Sequence, residues 1–283
     1  MRELIVIRGG GDLASGVIQK FHRSGFSVVV LEIEKPNFIR RKVCYGAAIY
    51  EGEVNLEDST SKYIGNLKEN ITESFINLKN CFNENKIPVI IDEKMEILDI
   101  IESQHSSEYK VVAVIDAIIA KRNLGMEKDL APITIALGPG FYAGKDVDVV
   151  VETMRGHNLA RLIFQGEALP NTGVPGLVGG EAELRVMHSP ADGILKIVRD
   201  IGEIVEKNQV IATVGDVEVV ATIPGLIRGM ITDGLYVKKG LKICDIDPRK
   251  EEFKNCFTIS DKARSLGGAA LEAFLYMRNK KNV

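Results

Sequence analysis

Cysteine is scarce in this chain, and what there is stands far apart: Cys44, Cys81, Cys244 and Cys256 form no C-x-x-C pair. That spacing suggests neither a zinc site nor a disulfide framework, so free thiols and no bound metal are expected. Long hydrophobic runs are missing as well. The stretch from Val111 to Ala120 is among the longest at about ten residues and contains Asp116, too short and too polar to span a bilayer. Near the N-terminus, Leu4 to Ile7 is followed at once by Arg8 and three glycines, which is too short for a signal-peptide core. A cytoplasmic protein without a membrane span is the expectation. Charge of one sign is not concentrated anywhere: 36 Lys and Arg against 39 Asp and Glu leave a net charge of −3. No nucleic-acid or anionic-membrane footprint results, and the expected partner is a small molecule or a protein.

What is present is the profile of a turn-rich globular protein, with 45% hydrophobic residues and 27 glycines over 283 positions. Leu4-Ile-Val-Ile7 reads as a buried strand, and a helical pattern follows with Leu13, Val17, Ile18 and Phe21 on one face. Ser27 to Leu31 reads as a second strand with Glu32 at its end. Between the first strand and the helix lies Gly9-Gly10-Gly11-Asp12-Leu13-Ala14. The pattern predicts a Rossmann-like α/β domain, in which the glycines let a backbone approach a dinucleotide pyrophosphate and Glu32 accepts from a ribose hydroxyl. A tight strand-to-helix turn with Asp12 opening the helix is the plainer alternative. No lysine follows the glycines, so a P-loop is excluded.

Residues 53–86 are polar, with Ile71, Phe75, Ile76 and Leu78 spaced for a surface helix. Three more strands are expected at Ile87–Ile91, Val111–Ile115 and Ile133–Leu137. Their carboxyl ends should gather with the glycine turn, which makes Asp116 and Lys121 candidate ligand-binding residues. A turn-forming Asp and a solvated Lys are equally compatible with the sequence. Beyond Gly138-Pro-Gly140, strand periodicity returns at Asp146–Glu152, then a turn carries Arg155, Gly156 and His157, and Asn158–Phe164 reads as a partner strand. Glu152, Arg155 and His157 would place a carboxylate, an anion-binding guanidinium and an imidazole around one turn. A hairpin tip is also polar without any chemistry.

The glycine- and proline-rich link through Asn171–Gly176 and Gly179-Gly180 marks a domain boundary. Beyond it, residues 193–211 align with 225–243 at a constant offset of 32, pairing Gly193 with Gly225, Gly202 with Gly234, Val205 with Val237, Lys207 with Lys239 and Ile211 with Ile243. Such a duplication predicts a small all-β barrel-sandwich hybrid, like a biotinyl or lipoyl module. The segment joining the halves, Gly215 to Thr222, contains no lysine, so covalent biotin or lipoate is excluded. Ser260 would cap a C-terminal helix whose Gly267-Gly268 implies that a backbone or ligand passes close by. The expected organisation is an α/β domain with its hairpin at 1–180, the duplicated domain at 181–248, and a helical tail at 249–283 packing back on the α/β domain.

Taken together, Gly9-Gly-Gly-Asp-Leu-Ala-Ser-Gly16, Gly138-Pro-Gly-Phe141, Glu152-Thr-Met-Arg-Gly-His157, Asn171-Thr-Gly173, Asp245-Ile-Asp-Pro-Arg249 and Ser260-Asp-Lys262 resemble the YqeB family, accessory proteins of the selenium-dependent molybdenum hydroxylase system. The resemblance runs nearly end to end. It implies a maturation factor for a xanthine-dehydrogenase-like enzyme, binding a molybdopterin intermediate or the apo-hydroxylase, or acting with other maturation proteins. The alternative from the glycine motif is an NAD(P)-binding oxidoreductase. The motifs mark Gly9 to Gly11, Asp116, Lys121, Glu152, Arg155, His157, Asp261 and Lys262 as site positions. Cys256, just before Ser260, is either a thiol acting on sulfur or selenium or an inert buried cysteine.

Overall fold

The structure is a computed structural model that describes residues 1–173 and 178–283. The part of the expected domain link at 174–177 lies outside the described residues. The chain divides into two compact units, one formed by 1–36, 44–171 and 259–283 and the other by 37–43 and 172–258.

In the first unit, β1 (Arg2–Arg8) leads through the glycine turn into α1 (Asp12–Arg23), and β2 (Ser27–Glu32) returns parallel to β1. The short α2 (Ala48–Glu51) precedes a hairpin of β3 (Glu53–Leu56) and β4 (Ser59–Asn66). Then come α3 (Ile71–Asn83), β5 (Ile87–Ile91), α4 (Glu96–Gln104), β6 (Tyr109–Asp116) and β7 (Ile133–Leu137). β8 (Tyr142–Ala143), β9 (Val149–Val151), β10 (Leu162–Ile163) and β11 (Gly166–Glu167) complete its strands, and α5 (Asp261–Lys281) is the C-terminal helix.

Nine of these strands form one sheet in the order β10-β9-β7-β6-β1-β2-β5-β4-β3, while β8 and β11 pair separately. The central strands are parallel, and β10 and β3 close the two edges antiparallel. Leu4 and Val6 of β1 share a core with Phe75 and Leu78 of α3 and Ile97 and Ile101 of α4. The alternate residues Ile5 and Ile7 are equally buried. Burial on both sides is why the central strands are continuous apolar runs.

The expectation of a Rossmann-like domain followed by a biotinyl- or lipoyl-like barrel-sandwich hybrid needs correction in both parts. The large sheet is mixed and nine-stranded, and β6 to β7 and β7 to β9 are joined without an intervening helix. The face that crossover helices would cover is taken by α5, which arrives from the end of the chain to pack on β7, β9 and α1. Residues 53–66, within the polar 53–86 stretch in which a surface helix was the one element expected, supply β3 and β4. Their strand character is hidden because β4 buries Ser59 and Ser61, hydroxyl residues whose polarity is satisfied locally: Ser61 Oγ donates to Tyr45 O at 2.8 Å.

The second unit contains β12 (Val186–His188), β13 (Gly193–Ile197), β14 (Ile204–Val205), β15 (Val210–Val214), β16 (Val217–Val220), β17 (Gly225–Met230), β18 (Tyr236–Val237) and β19 (Lys242–Asp247). They make two four-stranded antiparallel sheets, β12-β19-β17-β14 and β16-β15-β13-β18. The offset of 32 survives as a repeat of strand positions, since β13, β14 and β15 begin 32 residues before β17, β18 and β19. The barrel-sandwich expectation counted only those repeated strands. β12 ahead of the first repeat and β16 in the joining segment each add an edge strand, so the result is two small sheets around a common apolar core.

Candidate functional site

The parallel strands β1, β6, β7 and β9 all end on the same edge of the sheet, where ligands of open α/β sheets bind. Two helices start there. A Cβ on Gly16 of α1 would lie 2.0 Å from Ala263 O, and one on Gly267 of α5 would lie 2.2 Å from Gly16 O and 2.8 Å from Lys20 Cγ. Further along, the Phe21 and Phe274 rings meet edge to face with centroids 5.5 Å apart. The contacts advance in the same direction along both helices, so α1 and α5 are parallel and their N-termini lie together. Only glycine permits so close a crossing, which accounts for Gly267. At Gly268 no described atom outside the helix's own backbone and the adjacent residues lies within 4 Å of the Cβ position.

At the glycine turn, Gly9 adopts φ +90° and Gly10 N donates to Glu32 Oε1 at 2.6 Å. Glu32 Oε2 accepts from Ile33 N at 3.0 Å. Burial pushes the Glu32 carboxyl up, and the two amides pull it partly back. The carboxylate expected to meet a ribose is therefore engaged with the turn that was expected to meet a pyrophosphate. The segment after β2 closes over the same turn: Gly46 N donates to Gly10 O at 2.9 Å and Tyr45 N to Ser15 Oγ at 3.0 Å, while Ser15 Oγ donates to Gly11 O at 2.8 Å. Ser15 belongs to the quoted glycine motif, but nothing in the sequence spacing links Tyr45 and Gly46 to the glycines.

Beside the first turn of α1, the 152–157 turn meets the start of α5. Glu152 is buried, and its carboxylate accepts from Met154 N at 2.7 Å and from Leu169 N at 2.8 Å, which shapes the turn. Arg155 makes a bidentate pair with Asp261, Nη1 to Oδ2 at 2.9 Å and Nη2 to Oδ1 at 3.0 Å, and this pair raises the guanidinium further above its ordinary value. Ser260 caps α5 through its hydroxyl, which accepts from Ala263 N at 3.2 Å. Ile259 N donates to Glu57 Oε1 at 3.0 Å and fixes the approach to the helix. Lys262, half-buried, follows in the first turn. Burial lowers its ammonium below the ordinary lysine value and Arg155 adds to that, against Asp12, Glu152 and Asp261. Thus Asp12, Glu152, Arg155, Asp261 and Lys262, drawn from three distant segments, form one polar cluster. His157 lies exposed on the same turn.

The other candidates sit apart from this cluster or serve the frame. Asp116 is buried and paired with Arg8, Nη1 to Oδ2 at 2.9 Å. Its other oxygen accepts from Ile118 N at 3.1 Å, and Arg8 Nη2 donates to Leu124 O at 3.0 Å. Burial raises the Asp116 carboxyl, with Arg8 opposing. The pair pins the loop that replaces a helix after β6. Lys121 is exposed on that loop at φ +63°, close to Ile119 at φ +61°. Cys256 belongs to the second unit, where it is buried and burial pushes its thiol up, an environment that suppresses the reactive thiolate. Among the described residues no group of three or more His, Cys, Asp or Glu side chains is placed to hold a metal. No helix among them is long and apolar enough to cross a membrane.

No family model matches the chain. It is 42% identical over 278 residues to the uncharacterized protein YqeB of Escherichia coli (strain K12), a match covering 98% of this chain. The match agrees with the resemblance to the YqeB family. The chain spans about half of that relative's length, 48%. Among solved structures, a succinylglutamate desuccinylase from Silicibacter sp. TM1040 is similar at 15% identity, covering 86% of this chain and 84% of that one, with a TM-score of 0.25. An aspartoacylase family protein from Mesorhizobium loti is similar at 11% identity, covering 87% and 84%, with a TM-score of 0.28. The product-bound ectoine utilization protein EutE (DoeB) from Ruegeria pomeroyi is similar at 16% identity, covering 52% and 61%, with a TM-score of 0.22.

Proposed function

We propose that the chain is an accessory protein in the maturation of a selenium-dependent molybdenum hydroxylase of the xanthine-dehydrogenase type. In this reading it binds a cofactor intermediate at the carboxyl-edge cluster, or presents that cluster to the apo-enzyme. One observation carries the reading. Three of the motifs that resemble the family, Gly9–Gly16, Glu152–His157 and Ser260–Lys262, are separated by more than a hundred residues each and yet meet at one edge of one sheet. Packing alone has no need to bring an arginine, a lysine and three carboxylates to a common point at two helix starts.

The cluster fits binding better than a self-contained nucleophilic reaction. Glu152 is held by two backbone amides and Arg155 by Asp261, so neither is poised as a mobile acid or base. In cells fed selenate and molybdate, deleting the gene is expected to lower both the selenium content and the activity of the hydroxylase while its polypeptide still accumulates. Normal selenium content and activity in the deletion strain would contradict the reading.

A further inference from the structure

The charges of the carboxyl-edge cluster are unequally committed. Asp261 is taken up by the bidentate Arg155, and both Glu152 oxygens accept backbone amides. Asp12 is engaged as well. Among the described residues, Lys262 Nζ has neither a hydrogen-bond nor an ion-pair partner, although the side chain is half-buried. An ammonium in that setting keeps all three donors for a ligand, and partial burial makes an anionic ligand worth more to it than a surface lysine would gain. The guanidinium of Arg155, paired with Asp261, is near enough to act on the Lys262 ammonium electrostatically. Gly11 caps α1 without a side chain, so no capping side chain takes the first-turn amides of that helix.

We propose that Lys262, supported by Arg155, binds a tetrahedral oxyanion of the phosphate class, free or as the ester of a larger ligand. This rests on the carboxyl-edge cluster being the functional site, and it names the ligand chemistry of that site. The charged groups facing Lys262 are Asp12 from α1, Glu152 and Arg155 from the 152–157 turn, and Asp261 on its own helix. Of these, the three carboxylates oppose an arriving anion, and Asp12 is the one that neither shapes the 152–157 turn nor pairs with Arg155 in the bidentate contact. Its removal should therefore strengthen binding, a sign that a merely structural role for Lys262 does not produce.

The test is calorimetric titration of the full chain with inorganic phosphate and, separately, with phenyl phosphate. Saturable binding is expected, weakened about tenfold by Lys262→Met, as for loss of one charge-assisted hydrogen bond. Lys262→Arg should retain most of the affinity, and Asp12→Asn should tighten it. Tighter binding of the ester assigns a phosphate-bearing ligand, and equal binding assigns the free ion. The proposal is overturned if the wild-type chain binds neither probe, or if Lys262→Met, with an unchanged thermal melt, binds as the wild type does. Phosphate binding together with a normal hydroxylase in the deletion strain would keep this site and remove the hydroxylase reading. The reverse outcome would remove the site alone.

Discussion

The crossing of α1 and α5 makes opposite predictions for two neighbouring glycines. Replacing glycine by alanine inside a helix gains about 1 kcal/mol of intrinsic propensity. At Gly268 that gain is unopposed among the described residues, since the new methyl meets no atom of another element within 4 Å. At Gly267 the methyl would lie 2.2 Å from the carbonyl oxygen of Gly16. A backbone carbonyl cannot swing aside as a side chain can, so the helices must separate. Overpacking of this kind costs about 1–3 kcal/mol. A contact this short belongs at the upper end, which leaves a net loss of about 1–2 kcal/mol after the propensity gain. At about 2–4 °C per kcal/mol for a chain of this size, Gly267→Ala should melt roughly 2–8 °C below the wild type and Gly268→Ala about 2–4 °C above it. Thermal unfolding followed by far-UV circular dichroism decides it. A Gly267→Ala melting temperature at or above the wild-type value would refute the close crossing, and with it the placement of Lys262 beside the start of α1.

Three further outcomes follow from the buried charges and thiols. Asp116→Asn leaves Arg8 without its counter-charge in a buried site, and urea titration should register a loss of about 3–5 kcal/mol. Glu32, whose carboxyl is raised in the fold, holds a proton that the unfolded chain has already released as pH climbs above the ordinary 4.5. The folded state then binds more protons than the unfolded one, so stability falls with rising pH across that window, and Glu32→Gln should flatten the fall in a pH series of urea midpoints. All four cysteines are buried. A thiol reagent added to the native protein should therefore label them only slowly, Cys256 included, with four equivalents reacting once the chain is denatured. Rapid native labelling at Cys256 would contradict its placement.

The strands with two buried faces were legible because nothing else in a soluble chain writes Leu-Ile-Val-Ile or Val-Val-Ala-Val-Ile, and Ser260 announced its helix by the ordinary capping rule. The larger architecture was not legible. Two crossovers lack helices, and the helix that covers them comes from the far end of the chain, a long-range substitution that no local period records. β4 escaped because it buries serines where a strand is expected to bury valines. In the site, Arg155, Glu152 and Lys262 were nameable from their motifs. Their relation was not, because the Arg155–Asp261 pair spans 106 positions. Glu32 was noticed for the wrong neighbour: its position at the end of β2 suits a ribose, but it also lies within reach of Gly10 N, and the amide takes it.

Complementation of the deletion strain with Lys262→Met is the most direct test, because that side chain is half-buried, outside the core and, among the described residues, has no hydrogen-bond or ion-pair partner. If the carboxyl-edge cluster is the working site, the variant should accumulate and melt like the wild type yet leave the selenium content and activity of the hydroxylase at the deletion level. Restoration to wild-type levels by a chain lacking that ammonium would contradict it.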